Sequence, residues 1–410
     1  MKKQLLPLII TTTAIISLPL MAYDKVDDEA SLQAAITEAN ANSHINKIVF
    51  KRNAHIELTA PVIYNGDQNI TLIGNGAEID GAQAGSFFLA DDLTAVTTDG
   101  TLIFNTAADV TIRKLTITNS ATRGIVVNIP DDAEGDDIQV TMHKVTIRDS
   151  ALYGVHIDDN SDEFDEGETG SSIGIDLRIS RSSFTGNGTG AIDFDGVRVD
   201  ERGEGDIDAR IVHTHIDGNG GDGMELDEAG EGDVNASLFH VTLNGNGFYN
   251  EEDLDDGFDI DEAGEGNIDV RLFHVEANNN MDEGLDFDEE DEGDVKLSLS
   301  SVQAINNADE GIKVDEEDAG DIDARLKKVK VINSGDDGIQ FTELGEGEIK
   351  TTLKKVIASH NKKYGIKVEQ WFEEDEADHV EKAGIIKARK VQLSENGKGD
   401  EIKTNNVDIK

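Results

Sequence analysis

A glycine followed by an alternating apolar pair recurs at Gly257, Gly284, Gly311, Gly338 and Gly365, and every step is 27 residues. The runs read GFDID, GLDFD, GIKVD, GIQFT and GIKVE. Less regular copies begin at Gly124, Gly154 and Gly223, and AIDFD follows Gly190. A second glycine column (Gly205, Gly232, Gly266, Gly293, Gly320, Gly347) precedes runs such as DIDARL and NIDVRL, and a third short run such as VQAINN closes the unit. Three period-2 runs and three turns per unit describe one coil of a β-solenoid; a helical repeat would need 3.6-residue periodicity, which these runs lack. Coils stacked at roughly 4.8 Å turn Phe258/Ile260, Leu285/Phe287, Ile312/Val314, Ile339/Phe341 and Ile366/Val368 into continuous inward ladders. Such a stacked interior is why 37% hydrophobic residues suffice for a core.

The ends follow other rules. Lys2 and Lys3 precede an apolar run from Leu5 to Leu20 that closes on Met21 and Ala22, the pattern of a secretory signal peptide over residues 1–22. Removing those two lysines takes the net charge from −49 to −51. No later stretch is long and apolar enough to span a bilayer, so a periplasmic or secreted protein with no transmembrane segment in the mature chain is expected. Residues 23–410 are then expected to form one solenoid domain. Asp28 to Asn42 predicts one helix, with Leu32, Ala35, Ile36 and Ala39 on a shared face, placed to cap the open end of the solenoid. With 85 acidic against 36 basic residues, phosphate neutralisation and therefore nucleic-acid binding are excluded. No cysteine is present, which removes disulfides, thiolate metal sites and a cysteine nucleophile.

The opening SLQAAITEAN, followed by HIELTAPVIYNGDQNITLIGNGAEIDG, resembles the start of right-handed parallel β-helix proteins of the pectate lyase-like superfamily. The later coils are similar to that superfamily's repeats, including an Asn at one recurring place, Asn279, Asn306 and Asn333. The resemblance covers roughly residues 28 to 400 and implies an all-β, right-handed parallel β-helix with an N-terminal capping helix. Its chemistry stays open, because the superfamily includes lyases, hydrolases, epimerases and non-enzymatic adhesive solenoids.

With the apolar pairs inward, the outward positions on the same runs are Glu225/Asp227, Asp259/Asp261, Asp286/Asp288, Lys313/Asp315, Gln340/Thr342 and Lys367/Glu369. Acidic turns follow, as in Asp227-Glu228 and Asp261-Glu262, and acid pairs such as Asp282-Glu283 precede them. Two like charges about 5 Å apart repel by roughly 0.8 kcal/mol in water and about 3 kcal/mol at an effective dielectric of 20. Stacked over several coils, such repulsion calls for counterions, and an all-oxygen site suits Ca²⁺. The expected ligands are Asp227, Asp259, Asp261, Asp286, Asp288 and Asp315. The competing reading is a solvated acidic face that only keeps the solenoid soluble. DLDDGFDIDE, Asp253 to Glu262, has the wrong glycine spacing and flanks for an EF-hand.

Lyases of the resembled superfamily use bound Ca²⁺ and a nearby Arg or Lys as base. That resemblance singles out Lys313, beside Asp286 and Asp315, as the candidate catalytic residue of a calcium-dependent lyase on an acidic glycan. The polygalacturonase pattern would use Asp336 and Asp337, but the Gly-His-Gly and Arg-Ile-Lys elements it needs are missing. His213, His240 and His274 share one repeat position and read as turn residues. Asp208/Arg210, Asp269/Arg271 and Asp323/Arg325 read as surface ion pairs of little energetic weight. Two insertions interrupt the repeat, Gly247 to Asp253 and Trp371 to Val380. The partners expected are divalent cations and, beyond them, a polysaccharide or a cell-envelope protein.

Overall fold

The computed structural model describes residues 21–160, 170–250, 254–371 and 383–410. Most of the expected signal peptide, and the insertion from Phe372 to Val380, lie outside these residues. Within them the chain winds into parallel coils. Twelve strands, among them Val197–Glu201, Met224–Glu228, Phe258–Gly264, Asp288–Asp291, Asp315–Asp318, Ile339–Gly345 and Tyr364–Trp371, stack as one sheet. We call this the first face. A second, 21-stranded sheet supplies the other two faces of each coil. Each strand pairs in parallel with its equivalent one coil on, as in Met224↔Phe258 and Asp261↔Asp288. The molecule is a right-handed parallel β-helix.

The second sheet turns its corner inside single strands. Ile268–Asn278 serves two faces because His274 adopts left-handed backbone (φ 55°), and His213, His240, Ser301, Lys328 and Lys355 do the same in their coils (φ 52°, 57°, 61°, 56°, 58°). His is among the residues that tolerate this region best. The three histidines are thus bend residues, as expected, and their rings stack in register with centroids 4.9 and 4.8 Å apart. Of the expected surface pairs, Asp269–Arg271 (2.6 Å) and Asp323–Arg325 (2.8 Å) form. Arg210 instead lies over the Phe239 ring, 5.2 Å from its centroid.

One buried apolar cluster runs from Val26 to Val407, and the ladders Phe258/Ile260 through Ile366/Val368 are fully inside it. The helix Glu29–Ala41 closes the N-terminal end. Asp28 caps it, accepting the Ser31 N–H at 2.8 Å while the Ser31 hydroxyl accepts the Asp28 N–H at 3.2 Å. Its buried residues are the four expected: Leu32, Ala35, Ile36 and Ala39.

The recurring Asn is two ladders, not one. Asn279, Asn306 and Asn333 occupy left-handed turns and join side chain to side chain outside the core, at 3.1 and 3.0 Å. The residue after the turn carries a buried amide ladder: Asn187, Asn219, Asn246, Asn280, Asn307, and later Asn361 and Asn396. Where the predecessor is also Asn, the Oδ1 accepts both its backbone N–H and its side-chain N–H; from Asn219 to Asn246 the distances are 3.0 and 3.1 Å. The first glycine column exists for this ladder. A Cβ at Gly257 would come 2.5 Å from both Asn280 Nδ2 and the Gly284 carbonyl. Asn280→Ala strands buried donors and acceptors and should cost about 1–3 kcal/mol, against well under 1 kcal/mol for Asn306→Ala outside the core. Denaturant unfolding of the two variants checks the difference.

Candidate functional site

Register alone assembles the chemistry of the first face. One outward column runs His156, Arg198, Glu225 and Asp259, and continues in step through Asp286 and Lys313 to Gln340 and Lys367. The neighbouring column is Asp158, Asp200, Asp227, Asp261, Asp288 and Asp315. A third set stands just before each strand: Asp195, Asp222, Asp256 and Glu283. In this set a carboxylate oxygen accepts the backbone N–H of the next coil's equivalent residue, at 2.7 Å from Asp222 N to Asp195 and 2.6 Å from Glu283 N to Asp256. Asp256 N donates to Asp222 in the same way.

Together these columns line a groove of about 430 Å³ bearing eleven carboxyl groups and two cations, Arg198 and Lys313. Pointing outward does not leave these acids in water. Asp222, Glu225 and Asp286 are 6% exposed and Asp256 is 7% exposed, so the solvated-face reading fails along this stretch. Leu254 and Asp255, just after the first insertion, also line the groove.

The two cations sit at opposite ends. Arg198 bonds Asp200 (2.7 Å) and Asp227 (2.9 Å) and pairs with Glu225. Arg202 grips the same Asp227 with two nitrogens, at 2.8 and 2.5 Å. Behind them Asp200 accepts from His156 (2.7 Å), whose other ring nitrogen meets Arg123 at 2.9 Å. Burial works against ionised Asp200, but Arg198 and His156 outweigh it and hold that carboxyl well below the usual range. At the far end Lys313 Nζ lies 2.8 Å from Asp286, 3.1 Å from Asp288, 3.7 Å from Asp315 and 3.9 Å from Glu283. Burial pulls this ammonium down; Asp286 and Asp288 overcome it and push it up. That environment stabilises the protonated amine, whereas a base needs the neutral one.

The six aspartates expected as one ligand set are therefore divided. Asp227 belongs to two arginines, and Asp286, Asp288 and Asp315 surround Lys313. Asp259 and Asp261 lie between the two cationic ends. Around Asp259 other acids close in: oxygens of Asp222, Glu225 and Asp259 lie within 4.8 Å of one another, as do those of Asp256, Asp259 and Asp286. Burial, reinforced by Asp261, Asp222 and Asp256, pushes Asp259 far up, and burial raises Asp222 to about 7 despite Arg198. Asp256 stands among the acid pairs that precede the strands, but it and Asp222 fall outside the expected ligand set because they belong to the turn and not to the strand pattern. Arg198 had a legible signal, since VRVDE places Arg where MELDE and FDIDE place an acid, whereas Arg202 stands where the next two coils carry Ala229 and Ala263. Of the second insertion, Trp371 ends the strand Tyr364–Trp371 of this face.

No protein-family model matches the chain, and no curated protein matches it by sequence. Among solved structures, it is similar to the periplasmic alginate epimerase AlgG, with 14% identity over 88% of this chain and 76% of that protein, at a TM-score of 0.45. It is also similar to the Streptococcus pneumoniae surface protein and adhesin PfbA, with 11% identity over 96% of this chain and 100% of that protein, at a TM-score of 0.38. At such identities and scores the functional reading rests on this chain's own residues.

Lys313→Met removes the charge that compensates Asp286 and Asp288, and should destabilise the protein by about 3 kcal/mol at pH 8. Burial already raises both carboxyls, so protonation relieves the variant as pH falls. The gap to the parent protein in urea unfolding should narrow at pH 5.

Proposed function

We propose that this chain is an exported β-helix that binds divalent cations, Ca²⁺ foremost, in the groove of its first face. The ligands are Asp222, Glu225, Asp256, Asp259 and Asp286, of which only Asp259 and Asp286 belong to the set expected from sequence. One observation carries the reading: Asp259 Oδ1 is buried without a hydrogen-bond partner, in the middle of four other carboxyls. A buried anionic oxygen without a donor is costly, and a hard cation with oxygen ligands removes that cost. The nearest cations, Arg198 and Lys313, are engaged with acids on either side.

Calorimetric titration of chelator-treated protein with Ca²⁺ should show saturable uptake. At a free concentration 100 times Kd, binding should add about 2.7 kcal/mol of stability and raise the melting temperature. Asp259→Asn should weaken uptake about tenfold or more, roughly 1.4 kcal/mol. Protons compete for these carboxyls, so affinity should fall from pH 8 to pH 5. Heats equal to those of Mg²⁺ or of ionic-strength controls would sink the proposal.

A second reading is favoured by the length of the carboxyl-lined groove, in which bound Ca²⁺ would bridge to an anionic chain laid along it. It makes the protein a calcium-dependent lyase on an acidic glycan, with Lys313, held protonated by its acids, pairing a substrate carboxylate rather than acting as the base expected from sequence. A lyase leaves an unsaturated sugar end, so ultraviolet absorbance should rise with pectate, alginate or a glycosaminoglycan when Ca²⁺ is present. Activity that survives Lys313→Ala would remove that residue from the mechanism.

A further inference from the structure

The glutamates that close the repeat runs of the first face lie within its strands and are not turn residues facing out. Alternation continues one position further than the apolar pair, so Glu201, Glu228, Glu262, Glu289, Glu316 and Glu343 point inward, each 0–1% exposed. They pair in register from coil to coil, and the next rung is Gln370. Six carboxyls in a row at strand spacing, inside the protein, cannot all be ionised without compensation.

Their surroundings supply none. Glu201 accepts the N–H groups of Gly203 and Gly205, at 3.0 and 3.2 Å, and Glu228 and Glu343 accept one backbone N–H each from the glycine four residues on, at 3.2 and 2.9 Å. Both carboxyl oxygens of Glu262, Glu289 and Glu316 lack any N–H or hydroxyl donor. What they face is the carboxyl of the next rung, which is a bonding contact only when one of the two holds a proton. Asp159 meets Glu201 at the N-terminal end of the column. The other charged groups acting most strongly on the column are also acids: Asp233, Asp291, Asp294, Asp318, Asp321 and Glu348. Nearby cations are spoken for, Arg202 by Asp227, Lys296 by Asp294, and Lys350 by Asp321 and Glu348.

Gln370 reveals what the position requires. It is the neutral isostere of a protonated glutamate, and it accepts the Ile349 N–H at 3.3 Å while its Nε2 donates to the Gly347 carbonyl at 2.9 Å. The rung therefore offers an acceptor for a donating group, a role a carboxyl plays only when it carries its proton.

We propose that the six glutamates form a column of protonated carboxyls, hydrogen-bonded from coil to coil, that fastens this corner of the β-helix and loosens in alkali. Burial, helped by the neighbouring acids, raises Glu201, Glu228, Glu289 and Glu316 to about 9 and Glu262 and Glu343 to about 8. The unfolded chain releases these protons near pH 4.3. Between that pH and the folded values the native state binds more protons, so stability falls as pH rises.

The test uses the full chain, once with chelator and once with Ca²⁺. Infrared spectra at pH 7 should show a protonated-carboxyl C=O band that fades towards pH 10, and Glu289→Gln should weaken it. The melting temperature should drop by several degrees from pH 6 to pH 9, less steeply in Glu289→Gln and more steeply in Gln370→Glu, which adds a rung. The infrared band and the differences between each variant and its parent should be the same with and without Ca²⁺. Absence of the band at pH 7, or a Gln370→Glu variant no more alkali-sensitive than its parent, would overturn the proposal. So would a band absent with Ca²⁺ and present only after chelation, which would make the column a cation site instead.

Discussion

Parallel stacking in register is the constraint from which everything else in this molecule follows. Each residue sits one strand spacing from its equivalent in the next coil, so a repeated residue becomes a column of identical side chains. An apolar column gains contact at every step, and the Phe258–Val368 ladders show it. An amide column is self-complementary, because each Asn carries both donors and acceptors, and Asn187 through Asn307 use both. An ionised carboxylate column is neither. Wherever this chain repeats an acid, something must interrupt or neutralise the column.

Three solutions to that problem occur in the same few coils. Outside the groove, acids such as Asp269 and Asp323 are met by an arginine two residues along the same strand, in water, where the pairing matters little. Inside the groove, Arg198 and Lys313 break the outward column at its ends and leave Glu225, Asp259 and Asp286 between them. At the inner corner no base enters, and glutamates face one another until Gln370 ends the series. The glycine columns serve these arrangements. At Gly266 a Cβ would meet Glu262 Oε1 at 2.3 Å, just as at Gly257 it would meet the Asn280 amide.

Much of this was legible before any coordinates. The 27-residue step, the inward pairs, the capping helix with its four buried residues and the outward Asp259/Asp261 column all follow from periodicity, which is a local property of the chain. The amide ladder was read one residue away from its buried position, because the left-handed residue at Asn279 and the buried residue at Asn280 are both asparagine.

What sequence determined, then, is the coil: its length, its three strands, and which side chains must stack. Tertiary structure alone decided the environment of each column. The pattern Met-Glu-Leu-Asp-Glu does not say that its last acid faces the interior, since a turn was equally compatible with the letters. Nor does it say that Asp222, in the turn before the strand, comes within ligand distance of Glu225 and Asp259. Whether an acid is exposed, paired or buried depends on how closely neighbouring coils and loops pack over it. That depends on residues 27 or more positions away, beyond the reach of any local pattern.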